Sequence, residues 1–213
     1  MDTIEGATVL VGSDAGVLAE LADAMAAAGP LVVAGPTAIG MPEADPARAV
    51  IEVDVRSQAD LDAAARHVVE RWGPPSTLVV APAPAQHVAF EDLDERTWSE
   101  VLDANLGTAT RAVRAFGPAL VDRGRASVAL VVWRPPSGAG AVAVAAVSGA
   151  ITLFARSLAA DLGASGVTVN AIRVPGDGIA AAASAVALLR SRDAGYLTAE
   201  ILDPVGSRGG PPA

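Results

Sequence analysis

The stretch Ala7-Thr8-Val9-Leu10-Val11-Gly12-Ser13-Asp14-Ala15-Gly16 decides how the chain is read. Its first five residues form a short apolar run, three of them β-branched, of the length expected for a strand buried on both faces. Glycines at 12 and 16 then bracket a turn into an alanine-rich helix, for which Gly29-Pro30 supplies the stop signal. A strand that needs no polar face, followed at once by a helix, is the opening of a βαβ unit.

The same alternation continues outward from that segment. Strands are expected at 31–34, 49–55, 77–81, 128–133, 167–172 and 200–202, with a Gly- and Pro-rich loop over 35–46. Helices are expected at 57–71, 143–162 and 181–190. A long one over 94–122 places Trp98, Val101, Leu102, Asn105, Ala109, Ala112, Val113, Phe116 and Leu120 on a single face. About seven parallel strands with helices on both faces is the Rossmann-like, doubly wound α/β class. At 213 residues the chain suits one domain over 1–213, with a Gly/Pro-rich tail at 206–213 expected to fray.

Composition removes whole classes of chemistry. All 15 basic residues are arginine, there is no cysteine, and the single tyrosine is Tyr196. Schiff-base lysines, lysine general bases, thiolate nucleophiles and thiolate zinc sites are therefore excluded. No His/carboxylate spacing matches a metal site, so no metal is expected. A net charge of −9 with scattered arginines argues against nucleic acid or an anionic membrane as partner. The N-terminal residues lack the basic and apolar segments of a signal peptide, and the apolar run 141–155 reads as too short to span a bilayer, so a cytoplasmic protein is expected.

From residue 7 to 206 the chain resembles the short-chain dehydrogenase/reductase family. The likeness is carried by Gly12-x-x-x-Gly16 after the first strand, Asp54-Val55 after the third, and Trp98-x-x-Val101-Leu102-x-x-Asn105-Leu106 in the long helix. It continues through Arg156-Ser157-Leu158-Ala159-Ala160-Asp161-Leu162, Val169-Asn170-Ala171-Ile172 ahead of Pro175-Gly176, and Tyr196-Leu197-Thr198 before the last strand.

The resemblance implies a Tyr-x-x-x-Lys pair on the fifth large helix, where the tyrosine exchanges a proton with the substrate oxygen and the lysine lowers its pKa. Val144 and Ser148 stand at those positions. Neither does that chemistry, since valine has no exchangeable proton and serine carries no charge. The family's catalytic serine falls near Val131, Val132 or Trp133, with Ser137 further along. Only the asparagine of the tetrad persists, as Asn105, and a polar residue satisfied within the helix pair is the plainer explanation for it. No catalytic residue is therefore expected in this chain.

The cofactor positions depart as well. Gly12 and Gly16 remain, the family's third glycine is Leu18, and Asp54 stands where the family contacts adenine. These are remnants of a dinucleotide site rather than a working one, and no cofactor is expected on this chain. Asp14 lies inside the phosphate turn; if its carboxylate points inward, two unit charges ~4 Å apart at an effective dielectric near ~20 repel by about 4 kcal/mol. Gly35-Pro36-Thr37 offers no ribose-binding acid, and Val80-Ala81-Pro82-Ala83 replaces the family's Asn-Asn-Ala-Gly. The substrate-covering insertion after Pro175-Gly176 is nearly absent.

The helix at 143–155 is apolar on more than one side, so an added protein surface is expected against it. Together these features predict a non-catalytic subunit that pairs, through helices 94–122 and 143–162, with a catalytic relative holding NAD or NADP. That partner would act on a secondary alcohol or ketone such as a hydroxyacyl compound; pairing with a second copy is the competing assembly. The alternatives are a repurposed lyase, cyclase or hydratase using His87, Arg134, Ser137 or Asp177, or a ligand-binding regulator. His67, beside Arg66 and Glu70, reads as a solvated helix residue.

Overall fold

β1 (Thr8–Val11) is fully buried between β2 (Leu31–Gly35) and β4 (Thr77–Val80), as a run with apolar side chains on both faces requires. The computed structural model describes residues 5–25, 30–36, 48–84, 87–135, 140–175 and 178–204. It shows one all-parallel seven-stranded sheet in the order β3-β2-β1-β4-β5-β6-β7, completed by β3 (Arg48–Glu52), β5 (Ala126–Trp133), β6 (Val167–Val174) and β7 (Ile201–Leu202). The Rossmann-like expectation is met.

Two helical layers enclose the sheet. α2 (Gln58–Trp72), α4 (Thr108–Arg123) and α5 (Val142–Leu162) cover one face, burying Leu61, Phe116, Leu120 and Ile151 there. α1 (Ala15–Ala24) and α6 (Ala181–Leu189) cover the other, over Leu10, Val33, Val79 and Ile172. The chain departs from β1 toward β2 and from β4 toward β5, so the strand order switches direction between β1 and β4. Ligands of such sheets bind outside the strand C-termini at this point.

Several boundaries differ from the sequence reading. The expected long helix is α3 (Glu95–Leu102), a π-helical turn (Asp103–Gly107) and α4 in succession. β3 stops at Glu52, which leaves Asp54 two residues beyond the strand. It is an edge strand, and Val50 is 45% exposed. α1 ends at Ala24, short of the proposed stop at Gly29, which lies outside the described residues, as do most of the 35–46 loop, Ser137, Gly176, Asp177 and the 206–213 tail.

One expectation is corrected at α5. The helical stretch Val142–Ser165 is long and apolar enough to cross a membrane by length and composition, contrary to the shorter reading. It nevertheless packs against β5 and β6 as a core helix of the sheet. Its apolar residues lie on more than one side: Val144, Val147, Ile151 and Ala155 face inward, whereas Val142, Ala145, Gly149 and Leu153 lie exposed, Leu153 by 64%.

Candidate functional site

The cleft at the β1/β4 switch point has an open outer half and, among the described residues, a closely packed inner half. The outer half has a volume of about 500 Å³ and is lined by Ser13, Asp14, Pro36, Asp54, Arg56 and Thr108, among others. Asp14 is the N-cap of α1, and its Oδ1 accepts the Val17 N–H at 2.9 Å. The carboxylate thus points into the turn and satisfies an amide that the helix N-terminus would otherwise present to an anion. Leu18 is fully buried beneath the same turn. A Cβ on Gly12 would lie 3.0 Å from Leu18 Cδ2 and 3.1 Å from the Ala81 Cβ, so a side chain at 12 would press on the leucine by a few tenths of an ångström.

Asp54 is exposed in the outer half and accepts the Arg56 N–H at 2.9 Å, the turn-forming bond of an Asx motif. Arg111 stiffens this rim. Its Nε donates to the Val55 carbonyl at 2.8 Å, and its Nη1 pairs with Asp103 at 2.8 Å. The β3–α2 connection is thereby tied to the π turn.

In the inner half one residue, Ala83, is held from two sides. Its N–H donates to Asn105 Oδ1 at 3.0 Å, and its carbonyl accepts the Trp133 indole N–H at 2.5 Å. Asn105 also donates through Nδ2 to the Val101 carbonyl at 2.9 Å, so it is satisfied partly within its helix and partly across to the β4 connection. The π turn carries Asn105, and the asparagine takes up a carbonyl of the preceding helix there. Between Pro82, Asn105, Val131 and Ile151 only a void of about 10 Å³ remains, the volume of a single water at most.

Val144 and Ser148, the positions singled out on the fifth helix, are both buried, and Val144 packs in the cluster that contains Val131 and Trp133. Tyr196 is 80% exposed. It precedes Ala199, whose N–H bonds the Val169 carbonyl near the start of β6, so it lies at the sheet edge opposite the cleft. Arg134 is occupied, since it and Arg173 both bond Asp203 beyond β7. Burial raises the Asp203 pKa, but hydrogen bonds and charge from Arg173 and then Arg134 outweigh it and hold the carboxyl below its ordinary value. His67 and His87 are exposed, and among the described residues no cluster of three metal-binding side chains exists.

The clamp on Ala83 has two signals in the sequence, the polar Asn105 on an apolar helix face and the indole of Trp133 at the end of β5, since a buried Trp N–H needs an acceptor.

The enoyl-(acyl carrier protein) reductase family profile matches residues 13–187, and the chain belongs to the short-chain dehydrogenase/reductase family. It is 34% identical over 123 residues to the short-chain reductase protein NovJ of Streptomyces niveus, covering 57% of this chain and 47% of that protein. It is 31% identical over 127 residues to an uncharacterized NAD-dependent oxidoreductase of Mycobacterium tuberculosis, with 57% and 45% covered. The chain thus matches about half the length of these relatives. Among solved structures, 3-ketoacyl-(acyl-carrier-protein) reductase of Brucella melitensis, complexed with NADH, superposes with a TM-score of 0.84 at 18% identity, covering 95% of this chain and 98% of that one. An NADPH-bound short-chain oxidoreductase of Pseudomonas aeruginosa with an atypical catalytic center gives 0.82 at 22% identity, covering 98% of each.

Proposed function

We propose that this chain is a non-catalytic subunit of the short-chain dehydrogenase fold. In this reading it associates with a catalytic relative to form an NAD(P)-dependent oxidoreductase of the cytoplasm, acting on a secondary alcohol or ketone of hydroxyacyl type. The observation that supports it is one of inventory and place: the chain has no lysine, its one tyrosine is exposed at the far edge of the sheet, and buried Val144 and Ser148 stand where the resemblance puts the relay pair. Without a hydroxyl of lowered pKa beside a carbonyl, hydride transfer lacks its proton partner.

The nucleotide turn supports the same reading, because its residues do not fit a pyrophosphate. Asp14 already holds the Val17 N–H and would stand against the phosphates, and the outer half adds Glu52 and Asp54. Support for assembly comes from α5, whose outward Val142, Ala145, Gly149 and Leu153 form an apolar strip with small residues that allow close approach. In the assembly this strip and the α3–α4 helices meet the catalytic subunit. The open outer half favours the second reading, a repurposed non-redox enzyme or a ligand-binding regulator.

The test is NAD(P)H titration and ketone turnover by the chain alone, and then by the chain co-expressed with a catalytic family member. Alone, it is expected to bind no tighter than about 1 mM and to turn nothing over. Co-expressed, it is expected to elute as a stable complex that Leu153→Arg disrupts. Micromolar NAD(P)H binding with turnover by the isolated chain overturns the proposal.

A further inference from the structure

At the sheet edge opposite the cleft, a surface cavity of about 380 Å³ is lined by Glu5, Arg123, Arg125 and Arg192. We propose that this cavity binds a small phosphorylated molecule carrying at least two negative charges.

Charge and pairing carry the inference. The chain as a whole is strongly acidic, with 24 carboxylates against 15 arginines. Three of those arginines nevertheless converge here with one carboxylate, giving the lining a formal charge of 3 − 1 = +2. Among the described residues neither the Arg125 nor the Arg192 side chain has a hydrogen-bond or ion-pair partner, although Asp122 and Asp193 are near in sequence. Guanidinium groups without protein partners, gathered in one cavity, leave several N–H donors free for an anion.

The backbone makes room for these groups. Arg123 is anchored where α4 ends, donating to the Pro74 carbonyl at 2.7 Å and to the Glu5 carbonyl, which leaves other guanidinium N–H groups unused. Gly6, at a φ of +123°, passes so close that a Cβ there would lie 2.9 Å from Arg123 Nη2. Arg125 leads into β5, and its Nη2 would lie 3.9 Å from a Cβ on Gly195. Guanidinium forks bind phosphate oxygens in pairs, and the volume accommodates a diphosphate or a sugar phosphate.

Isothermal titration of the full chain with inorganic pyrophosphate in low-chloride buffer tests the site, with orthophosphate and citrate as comparison arms. Pyrophosphate is expected to bind tightest of the three. Arg125→Gln and Arg192→Gln are each expected to weaken it, and the double variant to do so by about 10-fold or more, the scale of lost charge-assisted bonds. Both side chains are exposed, and circular dichroism checks that the variants keep the fold. Pyrophosphate binding that is absent in the parent, unchanged in the double variant, or no tighter than citrate overturns the proposal. None of these outcomes depends on whether the chain is catalytic.

Discussion

The two halves of the cleft share one sheet edge but are built in opposite ways. In the outer half, polar side chains surround an open volume of about 500 Å³ and mostly bond neighbouring backbone, as Asp14 does with Val17 and Asp54 with Arg56. In the inner half, Trp133 and Asn105 reach across the fold to clamp Ala83, and about 10 Å³ of void is left. Long-range bonds occur in both halves, Arg111 reaching Val55 at the outer rim, but only in the inner half are they made by buried side chains whose bulk also takes up the space.

The most severe way to break this contrast is Trp133→Ala. It deletes a buried indole and orphans the Ala83 carbonyl, so a loss of about 3–5 kcal/mol is expected in urea unfolding. A loss below about 1 kcal/mol would mean that the indole does not hold the inner half together. Asn105→Ala leaves the Ala83 N–H without its partner and is expected to cost about 1–3 kcal/mol, with faster hydrogen exchange at that amide. Unchanged exchange there would count against the clamp.

In the outer half the effects should be smaller and of mixed sign. Asp14→Ala removes an N-cap worth about 1 kcal/mol, while freeing the Val17 amide. A thermal melt should register the loss, and an NADPH titration should show tighter binding than the parent. If affinity is unchanged, the carboxylate is not what opposes a phosphate. The smallest effect is expected away from the outer half, at Asp203 beyond β7. Its folded pKa lies below the unfolded value near ~3.9, so the stability it contributes is present above about pH 4 and is lost as pH falls through the folded value. For a partly exposed carboxylate this is under about 1 kcal/mol, and Asp203→Asn should flatten stability against pH across that acid range.

Much of the fold was legible because its strands are apolar on both sides, a pattern that parallel sheets impose. Less legible were places where one residue serves two elements. The long helix reads as continuous from its apolar spacing, and the extra residue of the π turn leaves that pattern nearly intact. α5 reads as apolar on more than one side because alanine and glycine are apolar wherever they point, and only its packing against β5 and β6 shows which side the sheet covers. In the cleft, the orientation of Asp14 was open in the sequence and is set by the helix it caps.

What the sequence determined by itself was the order of strands and helices and a chemical inventory without lysine or cysteine, both properties of residue type and local spacing. What only the tertiary structure decided was which polar groups meet. Ala83 is joined to residues 22 and 50 positions away, and arginines at 123, 125 and 192 come to one cavity. Local periodicity carries no record of such pairings, because they depend on how the sheet and its two helical layers bring distant chain segments together.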